Sequence, residues 1–234
     1  MKCLIKYFPY IAIIGTSFIL LFANYVPGTF LIGWDNLMPE FNLWLNIKRN
    51  IFAVWQEYRG LGLLDGQAHS ANTIHTLLIA ALRLFLPLEV VRYVLTLLLH
   101  CVGGLGMYLF MNSILKKRMS AIIAALFYML NIGIIQQFYA PLETFVFQFA
   151  FLPFCMYWGY KYIQEKAHSS LIWFAIMTLF MTPQSFVPTV FIVSLWGLLF
   201  LSSLDIAVNH SIKRSLILLV MTIAINSFWL LRCV

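Results

Sequence analysis

Apolar residues in this chain run in long, nearly unbroken stretches, and most are of the length that crosses a bilayer. A spanning helix takes about 20 mostly apolar residues, with a range of about 17–25. Stretches at 7–26, 88–112, 119–136, 143–161, 169–184, 186–204 and 215–233 are the candidates, two of them short. The pattern therefore predicts an all-α, polytopic transmembrane helix bundle of about seven spans. The fifth and sixth stretches meet at the Pro-flanked turn Thr182 to Pro188, which fits a turn at the membrane surface or one dipping into it. A further apolar segment, Ile74 to Pro87, runs for only 14 residues and contains Arg83. It is too short, and its arginine too costly at the bilayer centre, for a span, so an interfacial or re-entrant segment is expected. If it did cross, residues 27–73 would change sides.

Helical periodicity appears only between the first two spans. From Phe41 to Tyr58 the apolar residues Phe41, Trp44, Leu45, Ile51, Phe52, Trp55 and Tyr58 recur three and four apart, with Asn46, Lys48, Arg49, Asn50, Gln56 and Glu57 largely opposite. This predicts an amphipathic helix on the bilayer, its tryptophans in the headgroup layer. It lies in a first loop, 27–87, whose polar part also holds the turn Gly33-Trp34-Asp35-Asn36 and the glycine-rich run Tyr58 to His69. That run lacks the G-x-x-x-x-G-K spacing of a phosphate-cradling loop, so no nucleotide is assigned.

Composition strengthens the membrane assignment. Of 234 residues 62% are hydrophobic and 10% charged, whereas soluble domains run about 45–50% apolar and about 25% charged. A soluble or disordered chain is excluded. The net charge of +7 does not mark a nucleic-acid binder, because the basic residues are scattered between apolar runs. They carry topology instead. With the N-terminus cytoplasmic, Lys2, Lys6, Lys116, Lys117, Arg118, Lys161, Lys166, Lys213 and Arg214 all face the cytoplasm, accompanied only by Glu165 and Asp205. The whole net charge then lies inside, as the positive-inside rule requires, and loop 27–87 is extracytoplasmic. The expected location is the cell membrane. Lys2 and Lys6 before an apolar run resemble a signal peptide, but without a convincing cleavage site an uncleaved span is preferred. Cys3, Cys101, Cys155 and Cys233 sit in or beside apolar runs without C-x-x-C spacing, so neither disulfide nor zinc site is expected. The glycosylation pattern at Asn209 falls on the cytoplasmic side and is taken as chance.

Four of the eight acids, Asp35, Glu40, Glu57 and Asp65, lie in the first loop, where chemistry is expected. Asp35 and Glu40 are the candidate catalytic pair, since moving a sugar onto a hydroxyl needs a carboxylate to take its proton; as structural residues, Asp35 would cap a turn and Glu40 begin the surface helix. Lys48, Arg49 and Arg59 are candidates for neutralising a donor phosphate, with headgroup contact the simpler role for the first two. Glu143, at the outer end of a span, is a candidate cavity-lining residue or a helix cap. Asp65, His69 and His75 invite a metal reading, since Asp65 and His69 stand four apart and would share a helix face, but Gly66 weakens that helix and no third ligand is evident; no metal site is assigned, and a divalent metal is left open. His100, beside Gly103, Gly104 and Gly106, is expected to bond a neighbouring helix in a close-packed interface.

On these residues the chain resembles the GT-C superfamily of polytopic glycosyltransferases, especially its arabinofuranosyltransferase-like and YfhO-like membrane proteins. The likeness rests on the first helix, the acid in Gly33-Trp34-Asp35-Asn36, the surface helices, Leu99 to Phe110 running into Lys116, and Ala124 to Asn131 followed by Phe151 to Phe154. It covers most of residues 1–234 as one domain. The resemblance implies transfer of a glycosyl unit from a polyprenyl-phosphate sugar donor to a cell-envelope glycan, lipid or protein on the extracytoplasmic face, with Asp35 as the base and membrane lipids as neighbours. Many members carry a paired acid beside the base, whereas Asn36 stands here. Members also have more spans, so a fragment incomplete at its C-terminus is expected. The rival classes are a transporter or flippase, which calls for charged residues deep in several spans and discontinuous helices, and a non-catalytic scaffold.

Overall fold

The computed structural model describes residues 2–33, 38–52, 61–62 and 66–231, the side chains of 2–6, 66 and 67 excepted. Every regular element among them is helical: α1 (Lys2–Asn24), α2 (Leu43–Phe52), α3 (Gly66–Ala71), α4 (Thr73–Arg83), α5 (Leu88–Leu115), α6 (Arg118–Met129), α7 (Ile132–Ile135), α8 (Glu143–Glu165), α9 (His168–Phe180), α10 (Pro188–Asn209) and α11 (Lys213–Leu230), with short 3-10 turns at Pro39–Phe41, Gln136–Phe138 and Thr182–Phe186.

Four helices, α1, α5, α10 and α11, are long and apolar enough to cross a membrane. A fifth span is added if α6 and the segment 132–138, bent by 58° at their junction, count as one. The other two predicted spans are helical but fall short by these criteria. α8 has the length, 23 residues, but Glu143, Thr144, Gln148 and its run of Tyr and Trp lower its hydropathy. α9 has 13 residues, about 20 Å at 1.5 Å per residue, against a hydrocarbon core of about 30 Å. The segment expected to be interfacial or re-entrant is the 11-residue α4, about 16 Å long and short of a span.

The bundle is built around α5 and α8, which pack along each other, with α1 and α6 on one side and α9, α10 and α11 on the other. Close approach depends on glycine. A Cβ on Gly103 would lie 2.3 Å from Phe149 Cε1, and one on Gly104 2.4 Å from Met129 Sδ. Within this contact His100 is buried between the rings of Phe138 and Phe149. Its Nδ1 is 2.8 Å from Ser17 Oγ of α1, and its Nε2 is 3.2 Å from the Met129 carbonyl of α6. The expected bond to a neighbouring helix is therefore a bond to two. Pro153 lies inside α8 and has no N–H to give the Phe149 carbonyl four residues back. Tyr128 Oη, from α6, donates to that carbonyl at 2.9 Å.

Three tight hairpins join α5 to α6, α8 to α9 and α10 to α11, and each begins with a left-handed residue: Lys116 (φ 53), Lys166 (φ 58) and His210 (φ 50). All three lie at one end of the bundle. The α10–α11 turn is fixed to the last turns of α8, because Asn209 Nδ2 and Arg214 Nη1 both donate to the Ile163 carbonyl. Asp205 is fully buried there and accepts from the backbone N–H groups of Arg214 and Ser215 at 3.1 and 3.0 Å, so its side chain caps α11. Helix α1 runs antiparallel to α5, Tyr10 meeting Tyr108 and Tyr25 meeting Tyr93 edge to face. The four basic groups of the sequence are thus gathered at one end, and the first loop packs at the other.

Candidate functional site

At the end opposite the basic hairpins, the first loop is tied to the bundle by buried charge. Arg92, in the second turn of α5, donates from Nε to Glu40 Oε1 at 2.7 Å and from Nη2 to Glu40 Oε2 at 2.9 Å, a two-pronged pairing that uses both carboxylate oxygens. Its Nη1 donates to Glu143 Oε1, at the start of α8. All three residues are buried, at 2, 8 and 5% exposure for Arg92, Glu40 and Glu143. One arginine thereby joins the loop to both central helices. Among the described residues two carboxylates share this one guanidinium, and Glu143 Oε2 has no hydrogen-bond partner among them.

Next to this triad stands a second polar layer. Helix α2 turns Asn46 and Asn50 into the protein and leaves Trp44 and Phe52 more than two-thirds exposed. With the Asn50 amide nitrogen turned to the carbonyls of Asn46 and His69, at 3.1 and 2.8 Å, its oxygen accepts from Thr76 Oγ1 of α4 at 2.9 Å. Ser70 Oγ of α3 donates to the Asn50 carbonyl at 3.3 Å. His75, on α4, is 1% exposed, lies edge-on to Phe147 and pairs Nδ1 with Asn72 Oδ1 at 3.2 Å. Burial, with the Arg92 charge adding to it, pushes the His75 imidazole down to about 3. Its Nε2, Thr144 Oγ1 and Gln184 Oε1 are, like Glu143 Oε2, buried without a hydrogen-bond partner among the described residues.

The predicted site residues divide among these surroundings. Glu40 and Glu143 are brought together through Arg92, which assigns their shared oxygens to holding the loop. An oxygen that accepts a proton from a substrate needs access, and neither carboxylate is exposed. Lys48 is exposed on α2 and Arg49 is half-buried beside it. Asp35, Arg59 and Asp65 lie outside the described residues. His69 and His75 are both buried, on adjacent helices and not on one shared face. Among the described residues no three His, Cys, Asp or Glu side chains are grouped so as to hold a metal ion.

Arg92 and the asparagine layer are absent from the sequence-based candidates. An ionisable residue in the second turn of a span carries a functional expectation of its own, and that signal marked Arg92. No comparable signal marks Asn46 and Asn50, because polar residues four apart on an amphipathic helix read as its wet face.

No family model, no curated protein and no solved structure matches this chain.

Proposed function

We propose that this chain is an integral membrane glycosyltransferase that uses a polyprenyl-phosphate sugar on the extracytoplasmic face of the cell membrane, with Asp35 as general base. The acceptor hydroxyl oxygen attacks the anomeric carbon, the bond from that carbon to the phosphate oxygen breaks, the polyprenyl phosphate leaves, and the Asp35 carboxylate takes the hydroxyl proton. The observation that supports this most is the Glu40–Arg92 pairing. It fixes the chain five residues beyond Asp35 to the end of α5 away from the basic hairpins, and Leu31 and Gly33 are buried just before Asp35. Glu40 and Glu143 act in this scheme as positioning residues, and the exposed Lys48, with Arg49 and Arg59, serves the donor phosphate. Seven crossings with a cytoplasmic N-terminus belong to the same proposal.

Membranes carrying this chain, supplied with radiolabelled polyprenyl-phosphate sugars, test it. Transfer to an endogenous acceptor is expected with the wild type, and Asp35→Asn is expected to lose about 10²–10⁴-fold of the rate, the range that general-base removal produces. Equal incorporation by the two would remove the catalytic assignment, as would movement of the lipid-linked sugar across the membrane without transfer.

A further inference from the structure

A cavity lies between the broken helix α6–α7, the turn Gln136–Phe138, the first half of α8 and Val193 of α10. It has a volume of about 670 Å³, within the range of sites that bury a small organic ligand. Three features define what it would hold. First, among the described residues its lining contains no charged side chain, so a phosphate or an ammonium group entering it would be desolvated without a counter-charge from them. Second, the lining is apolar apart from a few neutral polar groups. Of these, Asn131 is occupied in capping α7 and Gln137 in closing the loop onto Leu142, whereas two amides have capacity to spare. Gln148 donates from Nε2 to the Val190 carbonyl at 3.1 Å, which leaves Oε1 as a free acceptor, and the exposed Gln136 makes no side-chain hydrogen bond among the described residues. Third, the mouth is flanked by Phe145 at 40% and Val193 at 56% exposure, so entry is sideways, from the hydrocarbon layer. From Leu142 to Leu152, both in the wall, the cavity follows α8 for about 15 Å, half the hydrocarbon thickness.

We infer that this cavity is a binding site for a membrane amphiphile with an uncharged, hydroxyl-bearing head group, the hydroxyls held by the Gln136 and Gln148 amides and the chain lying along Leu152 and Val193. An amide acceptor and an amide donor together match a hydroxyl, which is both donor and acceptor. The bent α6–α7 junction makes the room, because an unbroken helix from 118 to 138 would carry 132–138 straight on instead of turning it by 58°. The site is separate from the Glu40–Arg92–Glu143 cluster and does not depend on the sugar-transfer proposal.

The test uses the whole chain in nanodiscs with three diazirine-tagged probes of equal chain length: a monoacylglycerol, a lysophosphatidic acid and a plain alkane. Preferential cross-linking of the monoacylglycerol to the peptide containing Phe145 to Leu152 is expected. Gln148→Leu should lower that labelling about threefold to tenfold, the effect of one hydrogen bond, and Gln136→Leu should lower it as well. Because Gln148→Leu also cuts the bond to Val190, Val193→Trp, which crowds the mouth and touches neither amide, supplies the second variant and should lower labelling by a similar factor. Asp35→Asn should leave labelling unchanged, which separates this site from the catalytic proposal. Equal labelling by the alkane or the lysophosphatidic acid would overturn the inference, as would monoacylglycerol labelling that survives both Gln136→Leu and Val193→Trp.

Discussion

Arg92 faces two buried carboxylates, and the stoichiometry decides how each member responds to substitution. Removing the cation, as in Arg92→Leu, leaves two acids desolvated side by side, and a loss of about 3–5 kcal/mol of stability is expected from breaking a buried pair. Removing one anion is different. Glu143→Gln keeps one cation opposite one anion, and its amide oxygen still accepts from Arg92, so a change of about 1 kcal/mol or less is expected. Denaturation in detergent micelles checks both, and similar losses in the two variants would contradict the description of an over-supplied arginine. His75 gives a prediction in pH. Its imidazole is held neutral in the fold, with its pKa lowered from 6.5 to about 3, while the unfolded chain takes up the proton near 6.5. The contribution is therefore intact above pH 6.5 and is lost as pH falls from there toward 3, by at most about 1.4 kcal/mol per pH unit. The unfolding midpoint of His75→Gln should fall less steeply across that window than that of the wild type; identical slopes would count against the buried, neutral histidine. Of these residues Glu40 and Glu143 were visible in the sequence as acids at segment ends. That they share one arginine was not, because the pairing joins positions 52 and 51 residues apart.

At the scale of elements, the helices are set by apolar run length and by what interrupts it. The predicted stretches are helical to within a few residues because the bilayer-length runs end at Pro, Gly or paired charges. Their interruptions are the informative places. Pro153 would leave the Phe149 carbonyl without a donor, and Tyr128 from α6 supplies one, so Tyr128→Phe is expected to cost about 1–3 kcal/mol, more than a lost surface hydroxyl would. Glycine has two roles here that sequence alone does not separate. Gly103 faces Phe149 with no room for a methyl group, while Gly15 has nothing within 4 Å of where a Cβ would sit. Gly103→Ala should therefore destabilise by about 1–3 kcal/mol through overpacking, and Gly15→Ala should be neutral or stabilising by up to about 1 kcal/mol through helix propensity. Thermal unfolding of the two variants side by side checks the difference. Of the amphipathic helix predicted from Phe41 to Tyr58, residues 43–52 are helical as α2, and 53–58 lie outside the described residues. Its polar side is divided, Asn46 and Asn50 inward and Lys48 outward, because α2 packs on α3 and α4, where His69 and Thr76 supply hydrogen-bond partners for Asn50.

For the whole molecule, the decisive arrangement is the separation of charge between the two ends of the bundle. α5 is 28 residues long, about 42 Å, with Arg92 and the first loop near its start and Lys116 at its finish. α8 repeats this, with Glu143 at its start and Lys166 just past its end. The sequence supported a count of basic residues per loop; what it left out was that the Asp205-capped α10–α11 turn would be fixed to the end of α8, since that contact runs through the Ile163 carbonyl and not through any pattern along the chain. The sugar-transfer proposal places this cationic end in the cytoplasm, in keeping with the positive-inside rule, and the loop bearing Asp35, Glu40 and Lys48 outside. Cysteine accessibility tests it most directly. In a background with the native cysteines replaced, Asn42→Cys, exposed beside the first loop's anchor, and Lys117→Cys, exposed on the α5–α6 hairpin, are treated with a membrane-impermeant maleimide. Labelling at position 42 in intact cells, and at position 117 only once they are opened, is the predicted result; the reverse pattern would contradict it and remove the proposed function.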